Sequence, residues 1–304
     1  MHPGGTIPGF DNAAAFTLER GSGSAPPILL AVPHDGRTYP PSVIKMMRSP
    51  SFTCVRLEDR RVGDIADSIA EQLNVSLLKA HAPRAMIDLN RSTDDIDWGM
   101  VANARGTAKR NARATYRSRH GLGLIPRRIS GVGEIWRQPV DQTEIDRRID
   151  GIHGPYHSAI QAELQRLHDV HGMALLIDLH SMPPLNPLST EEGAPEFVIG
   201  DRFGASCAAV LSDAAIGFLA GKGRRSARNR PYAGGYILDR HGHPRRGIHA
   251  MQVEICRSLY LDAALDRPTP KLPAIARLVA GLVALLGAEL KQIVPPGEFL
   301  QAAE

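Results

Sequence analysis

Apolar residues gather along this chain in short unbroken runs that stop abruptly on polar side chains. Ala174 to Pro184, ALLIDLHSMPP, is the clearest: branched apolar residues broken at Asp178 and His180. A run without polar alternation predicts a strand buried on both faces, as in a parallel sheet. Ile28 to Val32 stops at Pro33-His34-Asp35-Gly36, Ala85 to Leu89 leads into Asn90 and Arg91 past Asp88, and Met251 to Ile255 carries Glu254. Thr53 to Leu57 (followed by Glu58-Asp59), Val75 to Leu78 and Phe197 to Ile199 complete the expected strands. Between them the period changes. Val62, Ile65, Ile69 and Leu73 follow helical spacing, and Asp141-x-x-Glu144 has the form of a capping box opening a helix through Ile149. A second helix from about Pro155 puts Ile160, Leu164 and Leu167 on one face and stops near Gly172; others span 205–219 and 274–290. Strands alternating with helices predict an α/β fold, in one large domain or at most two.

The polar residues that end these runs fall where parallel strands end, the edge at which open α/β sheets bind ligands. If His34, Asp59 and His180 converge, two imidazoles and a carboxylate would hold a zinc ion and leave one position for water, the composition of a catalytic site. Glu254 would then serve as the base that takes a proton from that water. Asp178 either orients a ligand histidine or is structural. Asp59 has a second reading as the N-cap of the helix that follows. Arg91 and Arg257, at strand ends, suit carboxylate groups. His153, His157, His168 and His171 include i, i+4 relations but lack an acidic partner in a recognised metal pattern. They read as packing or exposed histidines, with Tyr156-His157 kept open because it begins a helix near the expected mouth.

Composition adds little against this. At 304 residues, 43% hydrophobic and 22% charged, the chain is of ordinary globular make-up, and its net charge is only +4. The arginines are uneven, with eight basic residues from Arg105 to Arg128 and no acidic residue among them. With Tyr116 as its only aromatic residue and no RNA-binding module around it, this stretch reads as a lid-like insertion at about 102–130, and no nucleic-acid partner is expected. Cys54, Cys207 and Cys256 sit apart among apolar residues and read as reduced thiols. The first 27 residues, rich in Gly, Ala, Pro and Ser, read as a flexible arm without a signal peptide, which points to the cytoplasm. The remaining 28–304 form the expected single hydrolase domain. The apolar 274–290 contains Arg277 and Glu289, is short for a membrane span, and reads as a buried helix.

No single motif here is diagnostic, but their order is. Pro33-His34-Asp-Gly-Arg-Thr-Tyr-Pro40, Asp88-Leu-Asn-Arg91, Pro155-Tyr-His157, Asp178-Leu-His-Ser-Met182, Gly200-Asp-Arg202, Asn229-Arg-Pro-Tyr-Ala-Gly-Gly-Tyr236 and Gln252-Val-Glu-Ile-Cys-Arg-Ser-Leu-Tyr260 together resemble the N-formylglutamate amidohydrolase (deformylase) family, over about residues 28–262. The resemblance implies a phosphorylase/hydrolase-like three-layer α/β/α sandwich with a mixed, mostly parallel sheet, related to zinc carboxypeptidases. It further implies one Zn2+ and cleavage of N-formyl-L-glutamate to formate and L-glutamate in histidine degradation. Position by position it implies His34, His180 and Asp59 as ligands, with Glu58 competing for the third place, and Glu254 as base. Arg91, Asn90, Arg257, Gly235 and Tyr236 stand as substrate contacts, with Asp178 and Ser181 behind the ligands. The chain departs from the family at Asp35, where many members have Ser, and in Arg60-Arg-Val-Gly-Asp64, where Trp-x-Val-Asp is more usual. The other readings are a deacylase of another N-acyl amino acid, a carboxypeptidase-like peptidase, and a non-catalytic binding module on the same fold. Oligomeric state is not fixed by the sequence.

Overall fold

The computed structural model describes residues 1–10, 12–102, 115–129, 131, 133–187 and 193–293. Half of the eight basic residues of the stretch 105–128, Arg105, Lys109, Arg110 and Arg113, lie outside the described residues, as does the rest of 103–114. The chain divides into two compact units: Met1–Leu18, Pro33–Glu58 and Lys79–Ser158 form one, and Glu19–Val32, Asp59–Leu78 and Ala159–Glu304 the other.

In the first unit, β1 (His2–Gly4) pairs antiparallel with β2 (Phe16–Glu19). The N-terminal segment is therefore not the structureless arm expected. Phe16 and Leu18 alternate inward with polar neighbours, too briefly to register as a strand signal in a Gly/Pro-rich stretch. Helices α1 (Pro41–Met46) and α2 (Pro50–Leu57) follow. The strand expected at Thr53 to Leu57 is thus a helix: Pro50 occupies its first turn, and the buried residues Thr53 and Leu57 are four apart on one face.

The strand expected at Ala85 to Leu89 is absent as well. This buried segment is irregular, its Asp88 N–H donating to the Leu124 carbonyl and its Met86 N–H to Pro83. Further on come α4 (Tyr116–Arg119) and four short pieces of strand. Two of the short strands, β6 (Arg128–Ile129) and β7 (Gly133–Glu134), pair antiparallel, and β5 (Val101–Ala102) pairs parallel with β8 (Val140–Asp141). Here Arg127 meets Asp97 at 2.7 Å and Arg128 meets Glu134 at 3.1 Å, so the described end of the basic stretch is charge-paired. Helix α5 (Gln142–Arg148) is capped by Asp141, which accepts the Thr143 N–H. Glu144 accepts from Arg148 Nε at 2.9 Å. A π turn (Ile149–His153) leads into α6 (Gly154–His171).

The second unit is built on a sheet in which β4 (Ser76–Ala80), β3 (Ile28–Val32), β9 (Ala174–Met182), β12 (Ile248–Cys256), β10 (Phe197–Gly200) and β11 (Ser226–Arg228) are neighbours in that order. β3, β9 and β12 run parallel, β10 is antiparallel to β12, and β11 is parallel to β10. The expected mixed, mostly parallel sheet is present. Alternate residues divide its work. Ile28, Leu30 and Val32, then Leu175, Ile177 and Leu179, then Met251, Val253 and Ile255 share one core with α3 (Val62–Leu73), α7 (Ala209–Gly221) and α9 (Leu272–Leu290). Because side chains alternate across a strand, Asp178, His180, Gln252 and Glu254 face the other way, on the side where α8 (Tyr236–His241) packs against β9 and β12. Helix α9 is long and apolar enough to cross a membrane by length and composition, but Ile275, Val279, Val283, Leu286 and Leu290 are core residues, as expected for a buried helix. No disulfide links the three cysteines.

His249, on β12, is 2% exposed; its Nδ1 accepts the Ala208 N–H at 3.3 Å, and burial pushes its pKa down to about 4. The fold holds this ring neutral, whereas the unfolded chain takes up a proton near pH ~6.5. Stability contributed by this site is complete above that pH, is lost as pH falls toward 4, and changes little below it. Urea unfolding at pH 7 and pH 5 should show a loss of about 2 kcal/mol, and His249→Gln should flatten that slope.

Candidate active site

Two clusters of buried polar groups surround the histidines expected as ligands, one in each unit. In the second unit, β9 delivers His180 between two carboxylates: Nε2 lies 2.9 Å from Asp178 Oδ2, and Nδ1 lies 2.9 Å from Asp59 Oδ2. Asp59 follows the end of α2 by two residues in sequence. Its cap role is not taken up, since the residue preceding α3 in the N-cap position is Arg61, in the left-handed region at φ 64°. The Asp59 carboxylate is instead held by Arg257, whose Nη2 donates to Oδ1 at 3.0 Å while its Nε donates to Ser181 Oγ at 3.0 Å. Burial opposes charge on His180, yet Asp178 and then Asp59 raise its pKa well above the usual histidine value. The parallel register sets Gln252 opposite Asp178 and Glu254 opposite His180. Gln252 Nε2 donates to Glu254 Oε1 at 2.7 Å. A carboxylate therefore stands one strand away from the histidine, on the same face of the sheet.

In the first unit the arrangement repeats around His34. Its Nε2 lies 2.8 Å from Asp88 Oδ1, and Arg84 Nε donates to the other Asp88 oxygen at 3.0 Å. Burial would raise the Asp88 pKa, but Arg84 first, then His34 and Arg91, hold it well below the carboxylate range. Asp88 Oδ1 also accepts the Asn90 N–H at 2.9 Å. Arg91 is largely buried, which lowers its pKa; Asp88 works against that shift, and Arg117 and Arg84 add to it. Three arginines, Arg84, Arg91 and Arg117, thus gather near Asp88 and Asp95.

Both histidines meet a carboxylate through Nε2, the contact that orients metal-ligating histidines in general, and His180 meets a second carboxylate, Asp59, through Nδ1. His34, Asp59 and His180 each offer a ligand atom and each is buried. Glu58, the alternative to Asp59, is engaged elsewhere: Tyr39 Oη donates to it at 2.9 Å, and burial, then the Glu58 charge, hold the Tyr39 phenol above its usual range. Gly235 precedes α8 as its N-cap, and Tyr236 Oη accepts from Arg240 Nη1 at 2.7 Å. The loop before them is fixed to β10. Buried Asp201 accepts from Asn229 Nδ2 at 2.7 Å and Arg228 Nη2 at 2.6 Å, and Arg202 N–H donates to Ala233. Gly200 permits this approach, because a Cβ there would collide with the Ala233 and Gly234 backbone.

The family model for N-formylglutamate amidohydrolase matches residues 26–261. The chain belongs to the N-formylglutamate amidohydrolase family. It is a hydrolase of linear amide C–N bonds. Over 243 residues it is 29% identical to the N-formylglutamate deformylase of Pseudomonas aeruginosa, covering 78% of this chain and 82% of the relative. Identity to the Pseudomonas putida enzyme of the same name is also 29%, with the same coverage. Among solved structures, the N-formylglutamate amidohydrolase of Ralstonia eutropha aligns with a TM-score of 0.82 at 28% identity, over 93% of this chain and 100% of that one. Family membership accounts for the order of motifs from Pro33 to Tyr260. The contacts of Asp88 and Gln252 were not read from the sequence as parts of a site. The signal for Asp88 lay in Ile87-Asp-Leu-Asn90, which parallels Ile177-Asp-Leu-His180.

The Asp59–Arg257 pair is almost fully buried, at 3% and 6% exposure. Replacing Arg257 by Met should lower stability by about 3–5 kcal/mol through the uncompensated carboxylate, as read by urea unfolding. Adding Asp59→Asn should recover part of that loss; no recovery would mean that the pair is not what the arginine stabilises.

Proposed function

We propose that this hydrolase removes the formyl group of N-formyl-L-glutamate at a single zinc ion bound by His34, Asp59 and His180. The observation that carries the reading is the alignment of His180, flanked by Asp178 and Asp59, with Glu254 on the adjoining strand. The continuation of β3 supports the place of His34. Ala31 is opposite Asp178 in the parallel register, and His34 follows the end of this strand by two residues. The donor set fits zinc, being one carboxylate and two imidazoles that each meet a further carboxylate through Nε2.

Zinc bound there would polarise the formyl carbonyl and make a water acidic enough to be deprotonated near neutral pH. Glu254 takes the proton of the attacking water and passes it to the departing nitrogen, so that formate and the free amine of glutamate leave. Gln252 holds the Glu254 carboxylate in place through its 2.7 Å bond. Arg257 and Ser181 fix Asp59, and Asp178 fixes His180. Arg91, with Asn90 beside it, offers cationic and polar groups to a substrate carboxylate. Gly235 and Tyr236 would line the site from the start of α8. The contacts of Arg257 favour holding Asp59 over reading substrate. The reaction would release glutamate in histidine degradation, in the cytoplasm.

Purified protein should release formate from N-formyl-L-glutamate, lose that activity on chelation and regain it with zinc. No release from protein holding one equivalent of zinc would reject the substrate. N-acetyl- and N-succinyl-glutamate and N-formylmethionine then separate the other deacylase readings, since a dicarboxylate site should disfavour N-formylmethionine. Glu254→Gln should keep zinc and lose at least about a hundredfold in kcat. Asp88→Asn and Asp178→Asn should each weaken zinc binding by about 10–100-fold, measured by competition with a chelator.

A further inference from the structure

The segment 86–91 supplies Asp88 to His34 and carries Asn90 and Arg91, yet it has no strand partner. Three side chains from the helix that contains the π turn take up its carbonyls. Arg148 Nη1 donates to the Met86 carbonyl at 3.0 Å, His157 Nε2 meets the Leu89 carbonyl at 3.0 Å, and His153 Nε2 meets the Arg91 carbonyl at 2.9 Å. A carbonyl can only accept, so each histidine carries its proton on Nε2. All three side chains are buried, at 1%, 0% and 1% exposure respectively. The two imidazoles lie 4.3 Å apart between centroids, and Tyr156 meets His157 edge-on.

Burying three long or ring-shaped polar groups has a desolvation cost, and simple packing would be met by apolar residues. Their common target is the segment whose Asp88 carboxylate bonds His34. The π turn explains how one helix reaches three carbonyls in a row. In an α-helix, residues five apart point to different faces. The wider i→i+5 winding at Ile149–His153 returns residue 153 to the side of residue 148, and residue 157 follows one α-turn later.

We propose that His157, assisted by His153 and Arg148, is a positioning residue for the reaction. It clamps 86–91 so that Asp88 holds the His34 ring and Arg91 is presented at a fixed place. The link to catalysis rests on the reading of His34 as a metal ligand. The clamp itself does not.

The experiment compares His157→Phe, which keeps ring volume and loses the donor, with His157→Gln, whose amide restores an N–H near the same place. His153→Phe serves in parallel should His157→Phe fail to fold. Hydrogen exchange across 86–91, read by mass spectrometry, should rise by about tenfold in the Phe variant, with 160–171 unchanged. Zinc affinity should fall by about tenfold and kcat with it, and His157→Gln should restore most of both. Unchanged exchange across 86–91 in both Phe variants overturns the clamp. A loosened segment with wild-type zinc affinity and kcat overturns its catalytic role. If the wild-type chain itself binds no zinc, the ligand reading fails, while exchange across 86–91 still decides the clamp.

Discussion

Parallel pairing of β9 with β12 in one register, from Ala174 opposite Ile248 to Met182 opposite Cys256, is the constraint on which the arrangement of His180 and Glu254 depends. It makes both strands two-faced along their whole length. Odd positions, from Leu175 to Leu179 and from Met251 to Ile255, are committed to the core under α3, α7 and α9. Even positions are thereby released together on the opposite face. A slip of one residue in either strand would send its polar set into an apolar core and its apolar set toward the polar side. The hydrophobic effect thus fixes the alignment of His180 with Glu254, although neither residue contributes to it.

The polar face carries a cost that its own contacts offset. Asp59, Asp178 and His180 are all nearly inaccessible to water, and unpaired ionised groups at that depth each cost several kcal/mol. Charge alternates through Asp178, His180, Asp59 and Arg257, so each group has an oppositely charged or hydrogen-bonding neighbour. A cation placed between Asp59 and His180 Nδ1 would take over the role that the imidazole proton plays in the present arrangement. The same groups that are expensive to bury without a partner are therefore suited to hold a metal.

What could be read from the sequence follows from the same physics. β3, β9 and β12 are buried on both faces, so they appear as continuous apolar runs, and the polar residues at their ends stand out. Residues 53–57 and 85–89 mimic that signature with β-branched and apolar residues but are a helix and an irregular segment. In the first case Pro50, at the start of a helical turn, carries the information. In the second, burial without a strand is possible because backbone carbonyls are bonded by Arg148, His157 and His153, from residues more than sixty positions away. No local pattern contains a partner at that distance. For the same reason the pairing of His34 with Asp88, 54 residues apart, lay beyond periodicity, whereas the neighbouring Asp178-Leu-His180 did not.

The two histidine clusters solve one problem by different means. On β9 the orienting carboxylate lies on the same strand as its histidine, two positions earlier, and sheet register alone sets the geometry. For His34 the carboxylate comes from a segment with no sheet to define it. Irregular backbone buried among side chains must find a donor for each carbonyl or lose stability with every one left bare. Donors drawn from a single helix satisfy that need at Met86, Leu89 and Arg91. What β9 obtains from backbone pairing is supplied at 86–91 by side-chain bonds from one helix.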